Sequence, residues 1–279
     1  MKDKMRTSKK TMALLAAAIL LLAGSGIMGA KASLTVSEDY TAAFYLNHLQ
    51  VHLMENGKDV CGGVNTLDGA TKVTGQLATK LGYQNSDKGE VLGEAIPGKV
   101  YDEEIAAKNG QDIPQYVRMT VRKYWVKTDE AGKVKKNDLG EPVKMTGLSP
   151  DQIRLTYGAD DPKKKASNEY NTGAWVINSE ETTSESATYY YRTELPANTQ
   201  SQPLFDRVCI DKSVADGVLT EESKEGEKTI YKYVYEYDGC AFYIEADVQA
   251  IQTHNAEDAI HSQWGVYNVT AGDGKLTVK

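Results

Sequence analysis

The chain has 279 residues, with 32 Lys and Arg against 39 Asp and Glu, and a formal net charge of −7. Such a surface repels nucleic-acid phosphates and anionic lipid, so no nucleic acid and no membrane surface is expected as a partner. Cys61, Cys209 and Cys240 are too few, and odd in number, for a disulfide framework.

The first element is a leader. Lys2, Lys4, Arg6, Lys9 and Lys10 precede a nearly unbroken run of Ala, Leu, Ile and Gly over 12–28, and Ala30 and Ala32 flank Lys31 in an A-x-A-like cleavage site. The run is about 17 residues long, the short limit for a bilayer span. Cleavage after Ala32 is therefore expected, with retention as an anchor the alternative. It removes six basic residues and one acid, leaving 247 residues with 26 Lys and Arg against 38 Asp and Glu, a formal charge of −12. That length suits one large β domain or two small ones; we take 33–279 as a single secreted domain.

Residues 33–41 are polar, with a short extended patch at Leu34 to Val36, and read as an N-terminal arm. Tyr45, Asn47, Leu49, Val51 and Leu53 alternate with His48, Gln50 and His52, which predicts a half-buried strand near 43–55. Residues 57–92 are rich in turn formers and read mainly as loop. "IPGK" at 96–99 is a turn, and "YVRMTVRKYW" at 116–125, just after Pro114, is the clearest central strand of the first half. Charged, turn-rich stretches on either side of the short strand "DQIRLTY" make 127–172 a surface excursion.

"GAWVIN" and "ATYYYRTEL" read as two strands about a hairpin tip, with "LPANT" at 195–199 as the following turn. "PLFDRVCI" fits a strand or a short helix. "KTIYKYVYEYDG" alternates Tyr231, Tyr233, Tyr235 and Tyr237, and "CAFYIEADVQAI" alternates Phe242, Ile244, Ala246 and Val248. Asp238 and Gly239 between them predict a two-residue hairpin. Cys209 and Cys240, each beside a strand-like run, either form a disulfide or stay reduced. The pattern lacks strand–helix alternation and indicates an all-β fold, a sandwich or jelly roll of antiparallel strands with long loops and a few short helices.

The candidate sites weaken under geometry. In "AIQTHNAEDAIHSQWG", 250–265, a stripe of Val248, Ile251, Ala256, Ala259, Ile260 and Trp264 predicts a helix of about three turns against a sheet edge. On it, His254 and His261 lie seven residues and about 10 Å apart, too far to share one zinc with bonds of about 2 Å. Glu257 has no zinc-bound water to activate. His48 and His52 share a strand face but sit about 13 Å apart. No G-x-S-x-G elbow occurs, Cys61 has no local feature lowering its pKa, and the pairs Asp102–Glu103 and Asp160–Asp161 are ordinary on an acidic surface. "LPANT" lacks the Gly of a sortase signal. No catalytic, cofactor-binding or metal-ligating residue is assigned, and no cofactor is expected. Weak calcium binding at Asp160 and Asp161, or weak zinc binding, stays open. The tyrosine runs suit self-association, with carbohydrate binding the competing use.

Several segments, in order, resemble the exported TasA/camelysin family of Gram-positive biofilm-matrix proteins. They are the leader ending in "GAKAS", "FYLNHLQVHLMEN", "IPGK" with "NGQDIPQYVRMTV", "ATYYYRTELPANTQSQPLF" and the closing "YEYDGCAFYIEADVQAIQTHNAEDAIHSQWG". The resemblance implies a secreted jelly-roll domain at the cell surface or in the extracellular matrix. It further implies a fibre assembled with copies of itself or related matrix proteins, in which an arm equivalent to 33–41 adds a strand to the next subunit. Some relatives carry a metallopeptidase label, so the alternatives to a non-enzymatic filament subunit are a camelysin-like secreted metallopeptidase and a surface adhesion or glycan-binding protein.

Overall fold

The computed structural model describes residues 49–60, 64–67, 70–76, 84–86, 89–91, 96–129, 133–158, 168–225, 228–237 and 239–279. The described strands, in chain order, begin with β1 (Val51–Glu55), β2 (Lys58–Asp59), β3 (Val64–Leu67), β4 (Ala70–Gln76), β5 (Gln84–Ser86) and β6 (Gly89–Val91). Next come β7 (Val100–Asn109), β8 (Gln115–Lys127), β9 (Ile153–Thr156), β10 (Asn168–Glu169), β11 (Trp175–Asn178) and β12 (Ser186–Tyr191). The last are β13 (Phe205–Ile210), β14 (Val218–Glu225), β15 (Lys228–Tyr235), β16 (Cys240–Gln252), β17 (Val269–Gly272) and β18 (Lys275–Val278).

They build an all-β, jelly-roll-like sandwich of two six-stranded sheets, in the orders β10-β9-β13-β7-β1-β2 and β11-β12-β8-β16-β4-β3. All described pairings in these sheets are antiparallel except β9 with β10. The centre of the second sheet is the ladder between β8 and β16, which runs without a break from Gln115↔Gln252 to Lys127↔Cys240. Thirteen residues of extended chain span about 40 Å. One face of the ladder is the core, with Val117, Met119, Val121, Ile244, Ala246, Val248 and Ala250 all buried. They meet Val51, Leu53, Ile105, Ala107, Leu155 and Phe205 of the first sheet. Period-two patterning is the reason: along the ladder every second residue faces inward, and that apolar face needs a second sheet to cover it.

The three tryptophans are all buried. Trp175 is 0% exposed, and its Nε1 donates to Gln202 O at 2.9 Å; Trp125 Nε1 donates to Ser149 O, also at 2.9 Å. The outer edge of β11 has its donors engaged: Trp175 N reaches Asn171 O at 2.9 Å and Ile177 N reaches the Tyr170 hydroxyl at 3.2 Å. Tyr170 is held in turn against the Tyr189 ring, 5.0 Å away.

Several expectations are sharpened. The strand near 43–55 is described from Val51, its earlier part lying outside the described residues, as do the leader 1–32, the arm 33–41 and Cys61. His48–Lys279 forms one compact unit. Within 127–172, "DQIRLTY" supplies β9, whose Ile153 and Leu155 are 0% and 1% exposed and which pairs with β13 inside the first sheet. That stretch is therefore core, while 135–147 is largely exposed. "PLFDRVCI" is a strand, β13. No disulfide joins Cys209, buried in β13, to Cys240, which opens β16 in the opposite sheet.

Of the hairpin expected at Asp238 and Gly239, Asp238 lies outside the described residues, and among the described residues β15 and β16 are not paired. β16 pairs with β8 along its whole length and with β4 from Glu245 to Ala250, while β15 pairs with β14 as a separate two-stranded ribbon. Among the described residues, two-residue hairpin turns lie at Asn56 and Gly57 (φ 51° and 76°) and at Asp273 and Gly274 (φ 49° and 70°). Positive φ at both centres is the turn that matches strand twist, which is why Asn or Asp precedes Gly there.

Trp175→Ala should lower unfolding free energy by about 3–5 kcal/mol, the range for emptying a large buried aromatic site. Denaturant titration of the folded domain checks it.

Candidate functional site

The outer face of the β8–β16 ladder is polar in the middle and apolar at both ends. In the middle, Arg122 Nη1 lies 2.5 Å from Asp247 Oδ2, the Tyr124 hydroxyl donates to Glu245 Oε1 at 2.6 Å, and Thr120 and Thr188 hydroxyls meet at 2.9 Å. Asp247 is 3% exposed, so Arg122 neutralises a carboxylate that has left water. At one end, Tyr124 and Tyr243 stack with centroids 5.7 Å apart over Val126 and are covered by Val134.

The other end receives the histidine-bearing segment. β16 continues to Gln252 because its backbone is still paired with β8, and Asn255 then turns left-handed at φ 52°. A short α-helix, Ala256–Ala259, runs into a π turn, Ile260–Trp264. The expected three-turn helix at a sheet edge is thus replaced: Val248 and Ile251 belong to the strand, and Ala256, Ile260 and Trp264 lie on the face of the sheet against Tyr116, Tyr190, Ile251, Val269 and Leu276.

Arg118 fastens this end. Its Nε donates to Gln249 Oε1 at 2.8 Å, and its Nη1 reaches Trp264 O at 3.3 Å, Glu181 Oε1 at 3.4 Å and the Tyr190 hydroxyl at 3.4 Å. The guanidinium also sits 5.2 Å from the Trp264 ring centre, a cation–π contact. Glu181 accepts from the Tyr190 hydroxyl at 2.6 Å and from Asn178 Nδ2 at 2.8 Å, and Asn178 exchanges bonds with Asn268. The Tyr190 ring packs edge-on against Trp264. Burial first, then the Glu181 bond, pushes the Tyr190 phenol up to about 12, so it donates throughout the neutral range.

The histidines are dispersed. His254 is exposed in the turn before the helix; His261 stacks on Tyr267, 4.7 Å away; His52 Nδ1 lies 2.5 Å from Asp59 Oδ2; His48 lies outside the described residues. Glu257 lines an open groove of about 420 Å3 with Glu194, Asp258 and Asp273. Asp102 and Glu103 diverge, the first reaching Arg207 at 3.4 Å and the second buried beside Asn56; Asp160 and Asp161 lie outside the described residues. Among the described residues, no group of three or more His, Cys, Asp or Glu side chains is placed to hold a metal ion, and no helix is long and apolar enough to cross a membrane.

Sequence reasoning passed over Arg118 and Lys123. Both read as polar members of an alternating strand, but Lys123 falls on the core-facing register and is 3% exposed, with Nζ donating to Ile153 O at 2.7 Å. Its odd-numbered place beside Val117, Met119 and Val121 was the available signal. Burial pushes its ammonium down to about 8, against a weaker upward pull from Asp151.

An unfolded lysine titrates near 10.4. From about pH 8 to about pH 10 the unfolded chain therefore holds a proton that the folded chain has released, and stability rises with pH. Lys123→Met should flatten that rise, as read by denaturant midpoints across the window. No protein-family model matches this chain, and no curated protein or solved structure does either.

Proposed function

We propose that the chain is an exported, non-enzymatic structural subunit of an extracellular matrix or filament. It assembles head to tail when the arm 33–41, released by cleavage after Ala32, adds a strand to a sheet of the next copy. This is the assembly implied by the likeness to the TasA/camelysin proteins, and its partners are copies of itself or related matrix proteins.

The observation that carries the reading is the form of β1. Beside β1, β2 pairs at Met54 and Glu55 and Val60 N donates to Leu53 O at 3.0 Å, while Val51 lies beyond the end of β2. Val51 and Leu53 face the core at 1% and 0% exposure. A strand laid beside Val51 would meet its outward main-chain groups and place alternate side chains at the rim of the core, as strand addition requires. Leu34 and Val36 supply the matching alternation in the arm. A donor that leaves its own domain gives a heterologous contact, which propagates instead of closing.

A second reading, glycan binding at the cell surface, draws on a different place. Tyr267 is 76% exposed and is held flat against His261, beside an open groove of about 520 Å3 lined by Asn178, Glu180, Asn268 and Lys279. An aromatic platform among planar polar groups suits a sugar ring. Saturable binding to a wall polysaccharide that Tyr267→Ala abolishes would favour it.

For the leading reading, purified 33–279 should form filaments or large oligomers. Deleting 33–41 should leave a monomer with unchanged far-ultraviolet dichroism. An unchanged size distribution after the deletion refutes strand donation by the arm.

A further inference from the structure

The β14–β15 ribbon belongs to neither sheet of the sandwich. Its eight register pairs run from Val218↔Tyr235 to Glu225↔Lys228, and among the described residues neither strand has another strand partner. A two-stranded ribbon without further cover is only marginally stable in water. This one also exposes Ile230 at 42% and Tyr231 at 57%.

The hydrogen-bond phase of the ribbon follows from its base. Glu236 N donates to Gly217 O at 2.8 Å, so that pair is a hydrogen-bonded one. Antiparallel pairs alternate between bonded and non-bonded. The backbone groups of Leu219, Glu221, Ser223 and Glu225 therefore point to β15. Those of Val218, Thr220, Glu222 and Lys224 point away from it, as do those of Thr229, Tyr231, Tyr233 and Tyr235 on the other edge. Both edges are rows of donors and acceptors of the kind that templates pairing with another chain.

The two edges differ in charge. β14 carries Glu221, Glu222 and Glu225 against Lys224 alone, whereas β15 carries Lys228 and Lys232 and no acid. Two β14 edges, or two β15 edges, would set like charges against each other, which destabilises cross-strand pairs. A β15 edge against a β14 edge repeats the complementarity that the ribbon already uses within itself, where Glu221 is opposite Lys232 and Glu225 opposite Lys228.

We propose that the ribbon is a self-association element in which β15 of one copy adds, antiparallel, to β14 of a second copy. Because the two edges are different surfaces, the contact is heterologous and each added copy presents a fresh edge. The inference rests on reading the chain as a self-associating subunit, but it uses a contact that the arm 33–41 does not provide.

The test uses unlabelled and heavy-isotope copies of 33–279, mixed and treated with a zero-length carbodiimide, which joins a lysine amine to a carboxylate it touches. Wild type should give mixed-isotope links from Lys228 or Lys232 of one copy to Glu221, Glu222 or Glu225 of the other. Their absence overturns the proposal. Thr220→Pro removes an outward N–H from β14, and Tyr231→Pro removes one from β15, without touching a bond inside the ribbon. Each variant alone should lose the mixed links by about tenfold or more, corresponding to at least one decade in the association constant. Mixed together, they should regain links in one direction only, from lysines of the Thr220→Pro copy to glutamates of the Tyr231→Pro copy. Links that survive in either variant alone, or that return in both directions, overturn the heterologous pairing.

Amide exchange at Leu219 and Val234 checks that the ribbon persists in each variant. If a proline unravels it, the unaltered chain decides the matter through salt. Mixed links should weaken between about 0.01 M and about 1 M salt, as the screening length falls from about 30 Å to about 3 Å. Links indifferent to salt overturn the charge-matched pairing. A chain lacking 33–41 that loses its filaments and keeps the mixed links supports both contacts. One that keeps its filaments and the links sets aside the arm and retains the ribbon. An intact chain that assembles without the links sets aside the ribbon and retains the arm.

Discussion

The unbroken ladder between β8 and β16 is the constraint from which most of the molecule follows. Two strands of thirteen residues, paired in a single register, fix which side chains face the core and which face outward over about 40 Å. A one-residue slip would send Val117, Met119, Val121, Ile244, Ala246 and Val248 to the outer face together. The alternation therefore specifies the register at many points at once. β8 pairs with β16 throughout and β4 with its Glu245 to Ala250 stretch, and the chain that arrives through β15 pairs with β14.

The same ladder explains the closing segment. A strand this long presents apolar residues on its outer face at both ends, Tyr116 and Ile251 at one and Tyr124, Tyr243 and Val126 at the other. Each end needs a cover. Residues near Val134 cover one; the short helix, the π turn and the β17–β18 hairpin cover the other. Arg118 ties that second cover to the sheet through Gln249, Glu181, Tyr190 and Trp264. The segment with two histidines thus has a packing role that needs no ion, and Trp264 with Ile260 carries it.

Much of the sheet structure was legible because period-two patterning is a local signal. β8, β16 and the buried face of β1 follow from it directly. What was not legible depends on partners far along the chain. Asp238 and Gly239 carry the same turn chemistry as Asp273 and Gly274, yet only the latter close a hairpin, because turn residues specify a bend and not who pairs across it. The length of the closing helix was overestimated for a related reason. Val248 and Ile251 fit a helical stripe as well as a strand face, and the tie was broken by Met119 and Tyr116, more than a hundred residues earlier. Arg118 and Glu181 meet across 63 residues. Lys123 was hidden by residue type: a lysine in an alternating strand suggests the solvent side even when its register is that of the core. The leader and the arm, read from composition, lie outside the described residues.

The hydroxyl of Tyr170 on the Ile177 amide has a bearing on shape. Together with the Asn171 carbonyl on Trp175 it withholds two inviting donors from any neighbouring polypeptide, so this flank of the sandwich resists sideways stacking. One phenol oxygen thus helps keep the rim of the sheet from serving as a template.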